Sequence, residues 1–445
     1  MMKKLPMNIS VRLLGIPVLL TIVMALPQVL VSQTDNAKKD KEEALPIISE
    51  NAPLEVEIWG GIRDLYSIAV PKPLGVANVA TEVKDIQEND FRLSSLFKVL
   101  DSRSFLADLN AEGMSIDKDP WVQVGAQGVS KCTVTKAGDT VSLSFALFEV
   151  ARGGTSVLTK TYSGSAGDVR GMVHKWVNEV IRHFTGEPGA FGTRLAFARK
   201  IGPRVKHIFT ADWTGGGVSR VTRNDSINIL PAFGPGGSIY YTSFVEGSPY
   251  LYRTGMRSPV LSYPGLNMGA AFYGGKMAVV LSKDGNPEIY LGNADGSGLR
   301  RLTNSGSIDV SPSFSPDGSK IAFVSDRHGS PQIFVMSAGG GGAKRVTYKG
   351  SYNQTPSWCP RPGSNLIAFT GRDGGKYDVF TVDAGSGEIR RLTQHQGNNM
   401  DPAFSPDCRQ VAFHSSRGGV FISNPEGLNQ LKVIGGAAET IKWSR

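Results

Sequence analysis

Histidine and cysteine are both scarce in this 445-residue chain, at six and three residues. The cysteines, Cys132, Cys359 and Cys408, share no spacing that would hold a zinc ion, and the histidines are scattered, so Cys/His metal centres are excluded. A Gly-x-Ser-x-Gly elbow is missing, which disfavours the peptidases that pair a repeat domain with a hydrolase. His-Glu-x-x-His is missing as well. The run AGGGGAK at 338–344 lacks the Gly-Lys-Ser/Thr order of a phosphate loop and reads as a flexible turn. The formal net charge is +9, but no basic tract gathers it, whereas a nucleic-acid binder clusters its cations. Only one long apolar run exists, so no second stretch is a candidate to cross a membrane.

That run, LLGIPVLLTIVMALPQVLV from Leu13 to Val31, follows Lys3, Lys4 and Arg12 with no acid before it. A basic start followed by an apolar run is the pattern of a secretory signal. Val23-Met24-Ala25 offers the small-residue cleavage site, so 1–25 is read as a signal peptide, with cleavage as late as Ser32 the alternative. Pro17 and Pro27 interrupt a run barely as long as the roughly 20 residues a bilayer needs, which favours cleavage over a retained anchor. With no cysteine nearby, this is not a lipoprotein signal. Residues 33–53, QTDNAKKDKEEALPIISENAP, are polar and of mixed charge and read as a charged flexible spacer.

Residues 54–186 predict an α/β domain. LEVEIWG and LYSIAVPKPL read as strands, EVKDIQENDFRLSSLF (82–97) as a helix, and FKVLD as a strand. Three β segments follow, with Val141, Leu143, Phe145 and Leu147 alternating. DVRGMVHKWVNEVIRHFTG then predicts a helix whose stripe is Met172, Val173, Trp176, Val177, Val180, Ile181 and Phe184. Asp168 is expected to cap its start and Gly186 its end, with His174 and His183 as surface or helix-end residues rather than ligands. The Gly/Pro-rich stretch at 187–193 reads as a linker.

From 194 to 445 the chain repeats. Phe233, Phe272, Phe314, Trp358 and Phe404 each end a first strand, at spacings of 39, 42, 44 and 46 residues. Second strands (SIYYTS, KMAVVLS, KIAFVS, LIAFTG, QVAFHS), third strands and short fourth strands follow. Four strands every 40 residues or so make a propeller blade. Residues 194–222 carry three strands with no first strand before them, while AAETIKWSR at the end carries a first strand with nothing after it. Trp443 falls 39 residues after Phe404. The expectation is an α+β N-terminal domain followed by a six-bladed propeller, closed by the C-terminal strand pairing near Leu195. Cys359 and Cys408, in neighbouring repeats, are the candidates for a bridge. Nothing in the spacing brings two Cα atoms together, however, and three unpaired thiols are the reading.

The loops entering the first strands, PGLNMGA, SGSIDVSP, GSYNQTP and QGNNMDP, are rich in Asn, Gln, Ser and Asp and nearly free of Lys and Arg. In a propeller they gather at one mouth of the central channel. Such groups suit recognition of a peptide or protein surface, although turns favour the same residues for backbone reasons. Two rival readings are a metal-dependent, lactonase-like propeller hydrolase, which needs several inward acids around Ca²⁺ where only Asp309 and Asp401 recur, and a glycan- or solute-binding propeller.

The junction FTGEPGAFGTRLAFARK and blades reading PSFSPDGSKIAFVSDRHGSPQIFVMSAGG…KRVT, together with the exported α/β domain, resemble the TolB family over about 54–445. The resemblance implies a non-enzymatic periplasmic component of the Tol–Pal system, monomeric and without cofactor or metal. It links the outer-membrane lipoprotein Pal to the inner-membrane TolA complex, for envelope integrity and outer-membrane constriction at division, with other outer-membrane proteins as further partners. Carried onto this chain, the Pal-type contact falls on Asn267, Asp309, Ser311, Tyr352, Asn353, Gln354, Thr355, Asn398, Asn399 and Asp401. The TolA-type contact falls on a tail strand, Leu54, Glu55, Val56, Glu57 and Ile58, here preceded by the extra charged spacer.

Overall fold

A computed structural model describes residues 65–444. The signal peptide, the spacer, the tail strand at 54–58 and the strand read at LEVEIWG lie outside the described residues. The N-terminal region is a sheet of strands β1 (Tyr66–Ala69), β2 (Leu74–Gly75), β3 (Phe97–Val99), β4 (Gly128–Ala137), β5 (Thr140–Glu149) and β6 (Ser156–Ser165). The sheet order is β3-β1-β4-β5-β6, with β2 also on β4. Strand β1 runs parallel to β3 and β4, and β4-β5-β6 form an antiparallel meander.

The alternation in β5 sends Val141, Leu143, Phe145 and Leu147 to one face, where they are buried with the stripe of the long helices. These are α1 (Ala77–Leu93) and α4 (Val169–Thr185), with two short helices, α2 (Leu109–Glu112) and α3 (Lys118–Gln123), between them. Trp176 stacks on Phe145 at 5.1 Å. On the other face, Val129, Ala146 and Phe148 pack against Trp121 of α3.

Helix α1 begins and ends earlier than the predicted 82–97. Its apolar stripe already starts at Val79 and Ala80, and the chain leaves the helix at Ser94–Ser95, where Ser95 has φ 59°. Gly186 ends α4 as expected, in the left-handed conformation (φ 80°) with its N–H on Arg182 O. Asp168 does not cap α4 with its side chain. Its carboxylate turns back to accept from Ser165 N and Oγ, because a 3₁₀ turn at Ala166–Asp168 leads into the helix.

Six sheets follow, each one blade. Blade 1 joins Arg194–Gly202, Val205–Asp212 and Ser219–Arg220 to the C-terminal strand Glu439–Trp443, and Trp443 pairs with Leu195. Blades 2 to 6 begin with Asn228–Phe233, Asn267–Tyr273, Asp309–Phe314, Asn353–Trp358 and Asn399–Phe404. Blade 2 has three strands where four were expected, its fourth reduced to a Leu251–Leu261 bridge; the other blades have four. The six first strands pack against one another in ring order and surround the axis.

Each first strand carries a bulge. At the same place in all six, three residues before the terminal aromatic, one residue has positive φ: Leu230 (53°), Gly269 (66°), Ser311 (57°), Thr355 (51°), Asp401 (55°) and Thr440 (52°). Five of these six are not glycine, and left-handed backbone costs a side-chain-bearing residue about 1–2 kcal/mol, so the surroundings must hold them. Part of that hold is visible. The Thr370 hydroxyl, shared with Thr355 (2.8 Å), accepts from Asp401 N at 3.0 Å; Asp401 Oδ2 accepts from Thr440 N at 2.8 Å; Thr440 Oγ1 accepts from Leu230 N at 3.3 Å. This chain links blades 5, 6, 1 and 2 around the axis and passes through the C-terminal strand.

The expectation of three free thiols is overturned. Cys359 and Cys408 form a disulfide with Cα atoms 5.6 Å apart, joining blades 5 and 6, while Cys132 is free and buried. Blade 4 turns through Ser315-Pro316-Asp317-Gly318, with Gly318 at φ 70°; blade 6 turns through Ser405-Pro406-Asp407-Cys408, with Cys408 at φ 56°. The bridge residue thus occupies a glycine position. Two opposed effects follow: closing a loop of sequence separation 49 stabilises by up to about 4 kcal/mol, and the left-handed cysteine gives back about 1. Cys359→Ser/Cys408→Ser is therefore expected to lower the urea midpoint, and Cys359→Ser/Cys408→Gly to recover part of the loss. Equal midpoints for the two would refute the account of the turn.

Candidate protein-binding face

The ring has two unequal faces. The first strands start where the second strands end, as in the pairing of Asn267 with Leu281, so the loops before first strands and those between second and third strands share one face. The hairpins between first and second strands lie on the other, and that face carries the N-terminal region. There Gln410 Nε2 donates to Leu93 O (2.8 Å), Arg409 Nη2 to Thr185 Oγ1 (2.9 Å), Asn429 Nδ2 to Arg92 O (3.1 Å) and Trp443 Nε1 to Thr193 Oγ1 (2.8 Å). The first face is left open around the channel mouth among the described residues.

The two layers are also joined through His174, and the expectation of a surface or helix-end residue is wrong for it. It is 3% exposed. Its Nδ1 lies 2.6 Å from Asp90 Oδ2 of α1, and its Nε2 lies 3.1 Å from Asp212 Oδ2 of blade 1. Phe191 of the junction stacks on the ring at 5.7 Å. Burial alone would lower the imidazole pKa; the hydrogen bonds to Asp212 and Asp90, with their charges, outweigh it and raise it to about 9. Burial raises Asp90 to about 6, whereas Asp212 is held low, its burial outweighed by the bond to His174.

The expected contact residues divide into three kinds. Asn267, Asp309, Asn353 and Asn399 are fully buried and work inside the ring. Asn353 Nδ2 donates to Gln332 Oε1 (2.7 Å), Asn399 Nδ2 to Asp378 Oδ1 (3.3 Å) and Asn267 Nδ2 to Tyr263 O (2.7 Å). Asp309 accepts both bonds of Arg327 Nη2, at 2.9 and 3.1 Å. Each sits five residues before the terminal aromatic, as Asn228 does in blade 2, and fastens a first strand to the loop before it, to the preceding blade or, at Asp309, to the loop between the second and third strands of its own blade. Gln354 is buried beside them. Ser311, Thr355 and Asp401 are bulge residues of their first strands, at positive φ. Asp401 also faces His414 (Nδ1 to Oδ2, 3.5 Å) and lies near Lys442. Burial would raise its pKa, but the His414 contact and the Thr440 N–H together lower it. Tyr352 and Asn398 are half-buried in the loops of the open face.

A sequence reading confined to the loops before first strands misses the second ring of loops. There Lys283 lies over Tyr290 (5.1 Å), Arg327 over Phe334 (5.0 Å), Arg372 over Tyr377 (5.9 Å) and Arg417 over Phe421 (4.0 Å). Among the described residues, no group of three or more His, Cys, Asp or Glu is placed to hold a metal ion. No helix among them is long and apolar enough to cross a membrane.

Comparison with known proteins fits this arrangement. Residues 54–156 match the TolB amino-terminal domain and 181–366 the TolB beta propeller domain. The chain belongs to the TolB family. The crystal structure of TolB from Acinetobacter baumannii superposes with a TM-score of 0.75 at 26% identity, covering 86% of this chain and 97% of that one. The Tol-Pal system protein TolB of Anaeromyxobacter dehalogenans is 40% identical over 244 residues, 53% of this chain and 56% of that protein. The Tol-Pal system protein TolB of Desulfosudis oleivorans is 36% identical over 253 residues, 54% and 57% of the two chains. The matched stretch thus spans little more than half the length of these curated TolB relatives.

Proposed function

We propose that this chain is a non-enzymatic, periplasmic protein-binding component of a Tol–Pal system. It holds a Pal-type lipoprotein on the open face of the propeller, and the tail at 54–58 engages a TolA-type protein. The observation that carries the reading is the asymmetry of the ring. One face is occupied by the chain's own N-terminal region, while the other presents loops from several blades around the channel mouth. A surface of this kind, with half-buried tyrosine and Asn at the mouth, suits a protein partner.

The burial pattern selects the variants for a test. Asp309→Lys or Asn353→Ala would break fastenings inside the ring and report on folding. Ser311→Arg and Asn398→Arg place bulk at the mouth with less disturbance. Each is expected to weaken binding of the soluble domain of the Pal-type lipoprotein about tenfold or more, a loss of about 1.4 kcal/mol, with little change in melting temperature. Calorimetric titration measures this, and unchanged affinity in both variants removes the assignment of the mouth.

A further inference from the structure

The six sectors of the open face differ in how their cations are committed. In blade 3, Lys283 is tied to Asp284 (2.9 Å), and in blade 4, Arg327 to Asp309 (2.9 Å). Blade 5 differs. Its first strand starts with the neutral Asn353, and its one acid in the second loop, Asp373, is taken by Arg391 at 2.7 Å. Lys349, Arg372 and Lys376 are exposed, and none has a carboxylate partner among the described residues. Three tyrosines stand with them: Tyr348 is 39% exposed, and Tyr352 meets Tyr377 edge-on at 6.1 Å beneath Arg372.

We infer that this blade 5 sector is the recognition surface of the open face, and that it takes an acidic segment of a protein partner whose carboxylates meet Lys349, Arg372 and Lys376. The inference rests on the reading that the open face binds a protein. Its physical basis is charge left uncompensated beside aromatic surface already packed in place. Tyrosine and arginine are enriched among the residues that dominate interface energetics, and tyrosine buries much area at little entropic cost. Unpaired cations attract an acidic partner without first breaking an internal ion pair. The repeated Asn/Asp positions cannot supply such selectivity, since they are buried and spent within the ring. Blade 5 alone combines Tyr352, next to the channel mouth, with free cations in both adjoining loops.

The test is calorimetric titration of the full mature chain with the soluble domain of the Pal-type lipoprotein at 50 and 300 mM NaCl. Lys349→Glu/Arg372→Glu/Lys376→Glu is compared with Arg204→Glu/Arg223→Glu/Lys283→Glu, which makes the same change in net charge elsewhere on the same face. Wild type is expected to weaken about tenfold between the two salts, and the blade 5 triple variant to lose about thirtyfold or more at low salt, while the comparison variant stays within about threefold of wild type. A blade 5 variant within threefold of wild type, or an equal loss in both variants, overturns the inference and leaves the partner reading intact. If wild type does not bind the lipoprotein at all, the partner reading fails. The sector is then judged with a synthetic Asp/Glu-rich decapeptide at 50 mM NaCl: binding lost only in the blade 5 variant supports it, and binding equal in all three chains, or absent from all, overturns it.

Discussion

A chain ending at Ala437 is expected to lose the native ring and to aggregate, rather than to fold as a slightly weakened propeller. The stretch removed, 438–445, holds the first strand of blade 1. Ile441 and Trp443 are buried in the main core, and Trp213 and Trp443 are in ring contact at 5.3 Å. Burial of two such side chains is worth roughly 2–3 kcal/mol each, and the strand's ladder bonds to Leu195, Ala196 and Ala198 add about 1 kcal/mol apiece. Truncation also strips Asp401 of the Thr440 N–H and Lys206 of Glu439, which it meets at 2.6 Å, so each charge loses a partner. The sum approaches the whole of the roughly 5–15 kcal/mol that holds a typical domain together. The freed edge of Arg194–Gly202 would then template pairing with other chains. Size-exclusion chromatography and near-ultraviolet circular dichroism read this directly. Trp443→Ala, which keeps the strand, is expected to cost about 3–5 kcal/mol and remain folded. A truncated chain that is monomeric and native in its spectrum would show that closure is not what stabilises the ring.

The closing strand was legible because it obeys the period of the repeat: an aromatic 39 residues after Phe404 has one place to go. Blade number, strand order and the α/β character of the N-terminal region follow from the same local periodicities. The candidate site was less legible, for a reason the repeat itself contains. Asn228, Asn267, Asp309, Asn353 and Asn399 recur five residues before the terminal aromatic in blades 2 to 6, with Ala438 at that place in blade 1. A residue type shared by five of the six blades serves what those blades have in common, and here that is anchoring a bulged first strand. Recognition of a partner is asymmetric and has to come from what differs between blades, as at Lys349, Arg372 and Lys376. The disulfide left one trace: Cys408 stands where Gly318 stands in blade 4, a costly exchange at positive φ. No such trace marks His174. It falls on the apolar side of an ordinary amphipathic helix, and its two acidic partners are 84 and 38 residues away in sequence.

Replacing His174 with alanine is expected to destabilise the chain by about 3–5 kcal/mol, because it leaves two carboxylates facing an empty, largely dry site. The loss should appear first as separation of the N-terminal region from the propeller, since Asp90 and His174 belong to one and Asp212 to the other. Hydrogen exchange would show it as lost protection at Leu93–Ser95 and in the junction around Phe191, with the first strands of blades 3 to 5 unaffected. The pH dependence separates the charge of the imidazole from its bulk. A histidine whose folded pKa is about 9, against about 6.5 unfolded, contributes stability that is fully present below about pH 6.5 and is lost as pH rises through 9. The shift corresponds to something on the order of 3 kcal/mol. Asp212 has long been ionised, and Asp90, raised to about 6 by burial, acts in the same sense but in a lower window: its contribution is lost as pH rises through about 6 and is spent before the alkaline limb begins. The alkaline limb therefore belongs to His174. His174→Gln, which keeps hydrogen-bonding capacity without the charge, should be less stable than wild type at about pH 7 and converge with it toward about pH 10. Parallel stability curves for the two across that range would mean that the imidazole is neutral in the folded chain and that it joins the two layers by packing alone.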